Sequence, residues 1–451
     1  MRGATVAAPK APVRRTGALH LLLRARSSWI GSFGADAYEE KVIERRILWR
    51  RNLVISDPAG VRHVLLDNAA NYSKTAIARR LLEPGLGKGL ITMEGETWRK
   101  HRRIMAPSFD YQSIAAAVPS MAEAAGDLVA RWKALPAGTV IDMAQEMRRA
   151  TLRIIASTMF SADSRDIEAL VERSVERYQT QLRPSLLDFL GLPEWLPRWR
   201  QKHLARATLA EVTVAIDRII AERRAAPEPA RPDLLARLLS ARDDGVPLTA
   251  SEIRAQVLTI FMAGHETTSL ALTWAWYLLA QHPAAQAKLE AELASVLGGR
   301  PPRHEDVANL AYTRMVMEEA LRLYPPAHTI SRQALGPDEV CGRRVKKGAI
   351  VFVMPWVLHR HRRLWDNPDA FVPERFSPEQ SAARPRWAYL PFGDGPRVCI
   401  GAAFALTEAI VVLAALAQRF RPALVPGQTI EPHGLITLRP RHGMMMTLEK
   451  R

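Results

Sequence analysis

A mainly α-helical single domain with a minor β portion is the fold class this sequence predicts. Three observations lead to it. From about residue 113 to 297, apolar residues recur at a spacing of three to four almost without interruption. From Ile330 to Pro373 the pattern changes to short strands and turns. No internal repeat, low-complexity block or linker divides the chain. The length of 451 residues allows one large domain or about three ordinary ones, and the missing linkers favour one.

The elements follow in order. Residues 1–29 read as a loosely ordered basic segment, with the domain proper over 30–451. Arg2, Lys10, Arg14, Arg15, Arg24 and Arg26 stand there with no acid among them. Its longest apolar run, near Leu21–Leu23, is too short for a secretory or transmembrane segment; an organellar transit peptide stays open. Arg46–Trp49 and Asn52–Ile55 are β-like and lead into Asp57-Pro58, a helix-start signal. Helical periodicity then covers Ser113–Trp132, Asp142–Phe160, Ser164–Gln181, Gln201–Arg224 and Ser251–Gln281. Pro and Gly punctuate it at Leu190–Pro197 and Ala226–Pro232.

Within the last of these, Leu258–Ala280 is apolar and long enough to cross a bilayer. His265, Glu266, Thr267 and Thr268 at its middle would be costly in lipid, so it reads as a buried central helix. Another helix covers about Leu310–Leu323 and is stopped by Pro325-Pro326. The last runs from about Gly401 to Phe420.

Composition narrows the function. Hydrophobic residues make up 48% and charged residues 24%, which excludes wholesale disorder. The net charge is +17, and only 11 of the 63 basic residues are lysine. Such an excess suits nucleic acid, an anionic membrane or an acidic protein. The arginines are scattered among acids, with no nucleic-acid motif, so nucleic acid is the weakest of these. Two cysteines, Cys341 and Cys399, lie outside any Cys-x-x-Cys arrangement, which excludes zinc ribbons and thioredoxin-like sites and makes a reduced cytoplasmic setting the default.

The strongest chemical signal is the stretch Phe392-Gly393-Asp394-Gly395-Pro396-Arg397-Val398-Cys399-Ile400-Gly401. Val398 stands where a dinucleotide fingerprint needs its third glycine, and the Lys-Ser/Thr of a P-loop is missing. What remains is a stiffened glycine-rich loop presenting one cysteine before a helix, whose N-terminus favours a thiolate. Gly395 and Gly401 leave room for a flat partner, and Arg397 suits its anionic edge.

Phe392, Gly395, Arg397, Cys399 and Gly401 fill every fixed position of Phe-x-x-Gly-x-Arg-x-Cys-x-Gly. This is the haem-binding loop of the cytochrome P-450 family, which the chain resembles from about residue 30 to its end. The resemblance implies that Cys399 is the proximal thiolate ligand of haem b (iron protoporphyrin IX). The haem then lies between the long central helix and the cysteine loop. Ala263-Gly264-His265-Glu266-Thr267-Thr268 matches the family's central-helix segment. There Ala263 and Gly264 let the helix pass close over the haem, Thr267 hydrogen-bonds dioxygen and Glu266 is the proton source.

Glu319 and Arg322 match the family's Glu-x-x-Arg, and Arg375 supplies the third member of that structural network. Trp98 and Arg102 match a Trp-x-x-x-Arg that contacts the haem propionates. By analogy Arg332 and His359 are assigned there too.

The implied activity is a haem-thiolate monooxygenase that hydroxylates or epoxidises a small apolar substrate such as a fatty acid, terpenoid or steroid-like molecule. Met262, Ala263, Thr267, Ala327–Ile330, Leu435–Ile436 and a variable loop at Thr75–Leu90 are expected to line its pocket, and Leu186–Trp195 to gate it or touch a membrane. No flavin or iron–sulfur segment follows Phe420, so a ferredoxin or flavodoxin with its reductase is the expected electron source, with no transmembrane anchor. Lys100, Arg103, Arg360, Arg362 and Arg363 are expected to steer that acidic partner. The alternatives are a peroxide-driven peroxygenase, a haem-thiolate isomerase and a non-catalytic haem-binding sensor; the intact Glu266-Thr267 pair favours dioxygen activation.

Overall fold

The central helix explains most of the architecture. In the computed structural model, residues 28–47, 50–161, 174, 199–225, 233–243 and 245–451 are described. The basic segment up to residue 27, the expected helix Ser164–Gln181 apart from Ser174, the punctuating stretches Leu190–Pro197 and Ala226–Pro232, and the Leu186–Trp195 gate lie outside the described residues.

The longer described helices are α1 (Ala76–Leu86), α2 (Gly95–Met105), α3 (Tyr111–Ala134), α4 (Met143–Phe160), α5 (Trp199–Ala225), α6 (Leu234–Ser240), α7 (Ala250–Gln281), α8 (Pro283–Leu297), α9 (Ala311–Leu323) and α10 (Ala402–Ala417). The central one is α7, 32 residues long. Thr249 caps it, and Glu252 reaches back to the Thr249 N–H at 2.8 Å to complete a capping box. It is buried almost all round and packs on α4, α9 and α10, so its apolar length is core, as its polar middle requires. Pro283 then opens α8. Among the described residues no helix is long and apolar enough to cross a membrane.

The main sheet has five strands: β1 (Val42–Ile47), β2 (Arg50–Ile55), β3 (Tyr72–Ser73), β5 (Ile330–Ala334) and β6 (Ile350–Val353), in the order β1-β2-β6-β5-β3. Only β2 and β6 run parallel. The first strand starts four residues before the expected Arg46. Glu44, Arg45 and Arg46 hide its pattern, and pairing such as Ile43 with Val54 decides it instead. A second sheet joins β4 (Val140–Asp142) to β7 (Ala423–Leu424) and β10 (Met445–Thr447), and β8 (Pro432–Gly434) pairs with β9 (Leu438–Pro440).

The expected variable loop at Thr75–Leu90 is mostly helix α1. Thr75 caps it by accepting the Ala78 N–H, and Pro84 and Gly85, which suggest a loop, fall inside its last turn.

Behind the cysteine loop, a buried network fastens α9. Arg322 makes a two-pronged pair with Glu319 at 2.6 and 2.8 Å, and both side chains are fully buried. Its remaining donors reach the carbonyls of His359, Pro368 and Ala370 at 2.6–2.9 Å. Glu319 also accepts the Val372 N–H, and Arg375 approaches it at 3.5 Å. With charges and donors mutually satisfied, the burial of this pair is tolerated.

Candidate active site

The cysteine loop is set by its backbone. Gly393 and Gly395 have φ of 72° and 71°. A Cβ on Gly395 would stand 1.8 Å from the Leu65 carbonyl oxygen, so only glycine fits. That space is taken by the chain's own backbone rather than held for a flat partner. Gly401, at φ −95°, caps α10, and a Cβ there would only touch the Phe109 ring. Asp394 accepts the Gly395 N–H and the Trp387 indole, each at 2.7 Å, while the Cys399 N–H donates to the Phe392 carbonyl at 2.9 Å.

Cys399 stands on the wall of a cavity of about 410 Å³. Its exposed surface faces that cavity, with protein packed elsewhere around it. Burial pushes the thiol above its usual range, against the opposing pull of the Gly401 N–H and the Arg102 guanidinium. The expected thiolate is therefore not a property of the loop alone. A bound metal cation would supply the missing charge.

Four cations join this wall: Lys74, Arg79, Arg332 and Arg397. Arg397 lies 3.8 Å from the Trp98 ring centre, donates to the Met93 carbonyl at 2.9 Å and pairs with Glu94. Arg332, placed on β5 opposite Val351, is pulled down to about 10 by burial and then by Arg397. Burial, then Arg397 and Arg332, pull the Lys74 amine down to about 7. Three mutually repelling cations beside one carboxylate, Glu94, in a buried cavity call for anionic charge. Two carboxylates on the edge of a flat apolar group supply it, so these residues fit haem. Lys74 was not legible in the sequence, where it is one lysine before a variable stretch.

On the opposite side, α7 presents Thr267, Thr268 and Ala271 to the cavity. Thr267 donates to the Ala263 carbonyl at 2.8 Å, and Glu266, buried beside it, accepts the Thr437 hydroxyl at 2.6 Å. A Cβ on Gly264 would stand 2.8 Å from Ile155 of α4, so this glycine serves helix packing rather than the approach of haem. His265 is buried and donates to the Phe261 carbonyl. Glu408, on α10, is a second acid that the sequence reading missed, although a carboxyl inside an apolar run was its signal. Burial pushes it well above the usual range, with Thr268 pulling weakly the other way.

Thr267, Arg332, Phe392, Arg397 and Cys399 thus share one cavity. Ala263, Gly264, Glu266, Trp98, Arg102 and Gly401 stand behind its wall, Trp98 through Arg397 and Arg102 through its field on Cys399. Of the expected pocket residues, Ala78, Arg79, Leu82, Ala327, Thr329, Ile330 and Ile436 line it, whereas Met262, His328 and Leu435 do not.

His359 is a correction. Its ring is fully buried away from the cavity, Nε2 accepts the Leu390 N–H at 2.8 Å, and its carbonyl holds Arg322. It braces the cysteine loop from behind and does not line the cavity. Arg360 is a second correction: it is 2% exposed and lies 3.7 Å from the Trp356 ring centre, so it cannot form docking surface. Arg362 pairs with Glu39.

The family model Cytochrome P450 matches residues 35–445. The chain is 38% identical over 428 residues to cyclooctatin synthase of Streptomyces melanosporofaciens, covering 93% of this chain and 91% of that protein. It is 34% identical to pentalenene oxygenase of Streptomyces avermitilis over 78% of each chain. It is 33% identical to the chloroplastic protein LUTEIN DEFICIENT 5 of Arabidopsis thaliana, over 88% of this chain and 70% of that one. A thiol and a central-helix threonine on one cavity wall, under a cluster of cations, agree with that match, and the chain belongs to the cytochrome P450 family as a haem-thiolate monooxygenase.

Proposed function

We propose that this monooxygenase oxidises a small apolar terpenoid, with Cys399 as the iron ligand of haem b. The haem, when bound, supplies dioxygen binding and O–O cleavage. The balance is R–H + O₂ + two electrons + two protons → R–OH + H₂O; an alkene gives the epoxide with the same balance. A ferredoxin or flavodoxin with its reductase supplies the electrons, and the cytoplasm, where such donors are reduced, is the compartment this reading assigns. The haem domain is residues 30–451, with the basic segment 1–29 outside it.

The chain's own residues have separate tasks. Lys74, Arg332 and Arg397 would hold the propionates of a bound haem, with Trp98 buttressing Arg397 and Arg102 favouring the thiolate. Thr267 positions a proton beside the reacting oxygen, and Glu266 brings it from solvent. Ala78, Leu82, Ala271, Ala327, Ile330 and Ile436 give the substrate an apolar wall.

The observation that carries the reading is that Cys399 and Thr267 border the same cavity. The terpenoid class rests on the names of the relatives, a cyclooctatin synthase, a cyclooctat-9-en-7-ol 5-monooxygenase and a pentalenene oxygenase, together with the apolar wall. A screen of sesquiterpenes, diterpene alcohols, fatty acids and steroids for displacement of iron-bound water, followed by product analysis, tests it. Tight binding and single-oxygen products from cyclic terpenoids are expected. Turnover confined to fatty acids or steroids would overturn the substrate class.

A further inference from the structure

One hydroxyl on the cavity wall has its polarity fixed by a buried histidine. Thr329 lines the cavity beside Ala327 and Ile330, two members of the apolar wall, and His328 is buried out of the cavity. Nε2 of the His328 ring lies 3.0 Å from the Leu435 carbonyl oxygen, in the turn between β8 and β9. A carbonyl only accepts, so the ring carries its proton on Nε2. Burial pulls this imidazole down to about 4, so it is neutral and Nδ1 keeps a lone pair. The Thr329 hydroxyl, 2.8 Å from Nδ1, therefore donates to it. Its one proton is committed, and lone pairs are the hydrogen-bonding capacity it has left for a bound molecule.

The pair is held on several sides. The Leu438 N–H donates to the Pro326 carbonyl at 3.0 Å, and the Trp356 N–H to the His328 carbonyl at 3.4 Å. A Cβ on Gly434 would stand 3.3 Å from His328 Nε2, so the backbone of β8 closes over the ring.

We propose that Thr329 determines substrate specificity as a hydrogen-bond acceptor, with His328 as the positioning residue that fixes its polarity, so that the terpenoid bound here carries a hydroxyl group. The substrate O–H donates to the Thr329 oxygen, and the apolar remainder lies along Ala327, Ile330 and Ile436. A carbonyl or ether at that point brings lone pair against lone pair, and a bare hydrocarbon leaves the acceptor without a partner. The inference deepens the terpenoid reading and rests on it for the skeleton.

Matched trios of hydrocarbon, alcohol and ketone on one skeleton test it. Valencene, nootkatol and nootkatone serve for terpenoids, and androstane, androstanol and androstanone for steroids. Dissociation constants come from calorimetric titration of the haem-loaded protein. Each alcohol is expected to bind about three- to tenfold more tightly than its ketone, the worth of one hydrogen bond. Thr329→Val abolishes this preference and binds the hydrocarbon at least as well as wild type, whereas Thr329→Ser keeps it. His328→Phe releases the Thr329 proton and shifts the preference toward the ketone. A red-shifted carbonyl band in each variant shows that the haem site is intact, and should His328→Phe not fold, the two Thr329 variants decide. An alcohol bound no more tightly than its ketone, or a preference that survives in Thr329→Val, would overturn the proposal. A preference retained in His328→Phe would remove His328 from it. If the steroid alcohol is preferred and no terpenoid binds, the terpenoid reading fails and the role of Thr329 stands. If no trio binds, both fail.

Discussion

Lys74 is the side chain whose charge depends most on what fills the cavity. Its folded pKa of about 7 lies below its ordinary 10.5, because burial and then Arg397 and Arg332 disfavour the ammonium. The cofactor-free fold is therefore penalised for carrying that charge, and this contribution to stability improves as pH rises from about 7 toward 10.5. A pair of propionates reverses the preference. Lys74→Met is expected to raise the melting temperature of the cofactor-free protein near pH 7, yet to release haem about tenfold faster, the worth of one charge-assisted hydrogen bond. Thermal melts and haem transfer to an acceptor globin measure the two effects.

At the same scale, Thr267→Ala should divert electrons from product to hydrogen peroxide, lowering product per NADPH by about tenfold or more. Cys399, Arg397 and Thr267 were legible because each sits in a motif of fixed spacing. Lys74 was not, since a single lysine says nothing about the two arginines that folding brings to it. His359 misled for the converse reason: a His-Arg step does not reveal that both side chains are buried.

Elements hold these residues through strain and burial. Gly395 and Gly401 are equally fixed in the motif, but the fold asks different things of them. Gly395 combines φ of 71° with the 1.8 Å approach of the Leu65 carbonyl, whereas Gly401 has φ of −95° and an ordinary contact with Phe109. Gly395→Ala should therefore displace the loop and abolish haem incorporation, while Gly401→Ala should leave the fold of the cofactor-free protein intact; circular dichroism and haem titration separate the two. The Glu319–Arg322 pair is the other restraint. Glu319→Gln strips an uncompensated buried Arg322 of its counter-charge, at a cost of about 3–5 kcal/mol in urea unfolding.

The sequence pattern made α3, α4 and α9 plain through a helical apolar stripe, and α7 and α10 through long apolar runs buried on all sides. It hid α1, whose Pro84 and Gly85 resemble a loop, and placed β1 late, because its charged residues gain strand geometry only from β2.

Across the whole molecule, the net charge and the buried histidines set the response to solution conditions. His265 and His328 are held neutral by burial, each pulled down to about 4. The unfolded chain takes up these protons below about 6.5 and the fold does not, so stability should fall as pH drops from about 6.5 to 4. His328→Asn should flatten that slope in urea titrations across the window.

The proposal that part of the +17 charge steers an acidic electron donor narrows on the structure. With Arg360 buried and Arg362 paired with Glu39, the exposed Arg103 of α2 and the exposed Arg363 are the better candidates. Charge reversal at both should slow electron transfer from a ferredoxin about tenfold at low salt and little at high salt, as steering predicts.

All of this depends on Cys399 binding iron as a thiolate. The most direct measurement is the difference spectrum of the reduced protein with carbon monoxide, recorded for the wild type and for Cys399→Ala. The wild type should give the red-shifted thiolate Soret band, and Cys399→Ala should lose it. A wild-type protein without that band, or a variant that keeps it, would contradict the assignment.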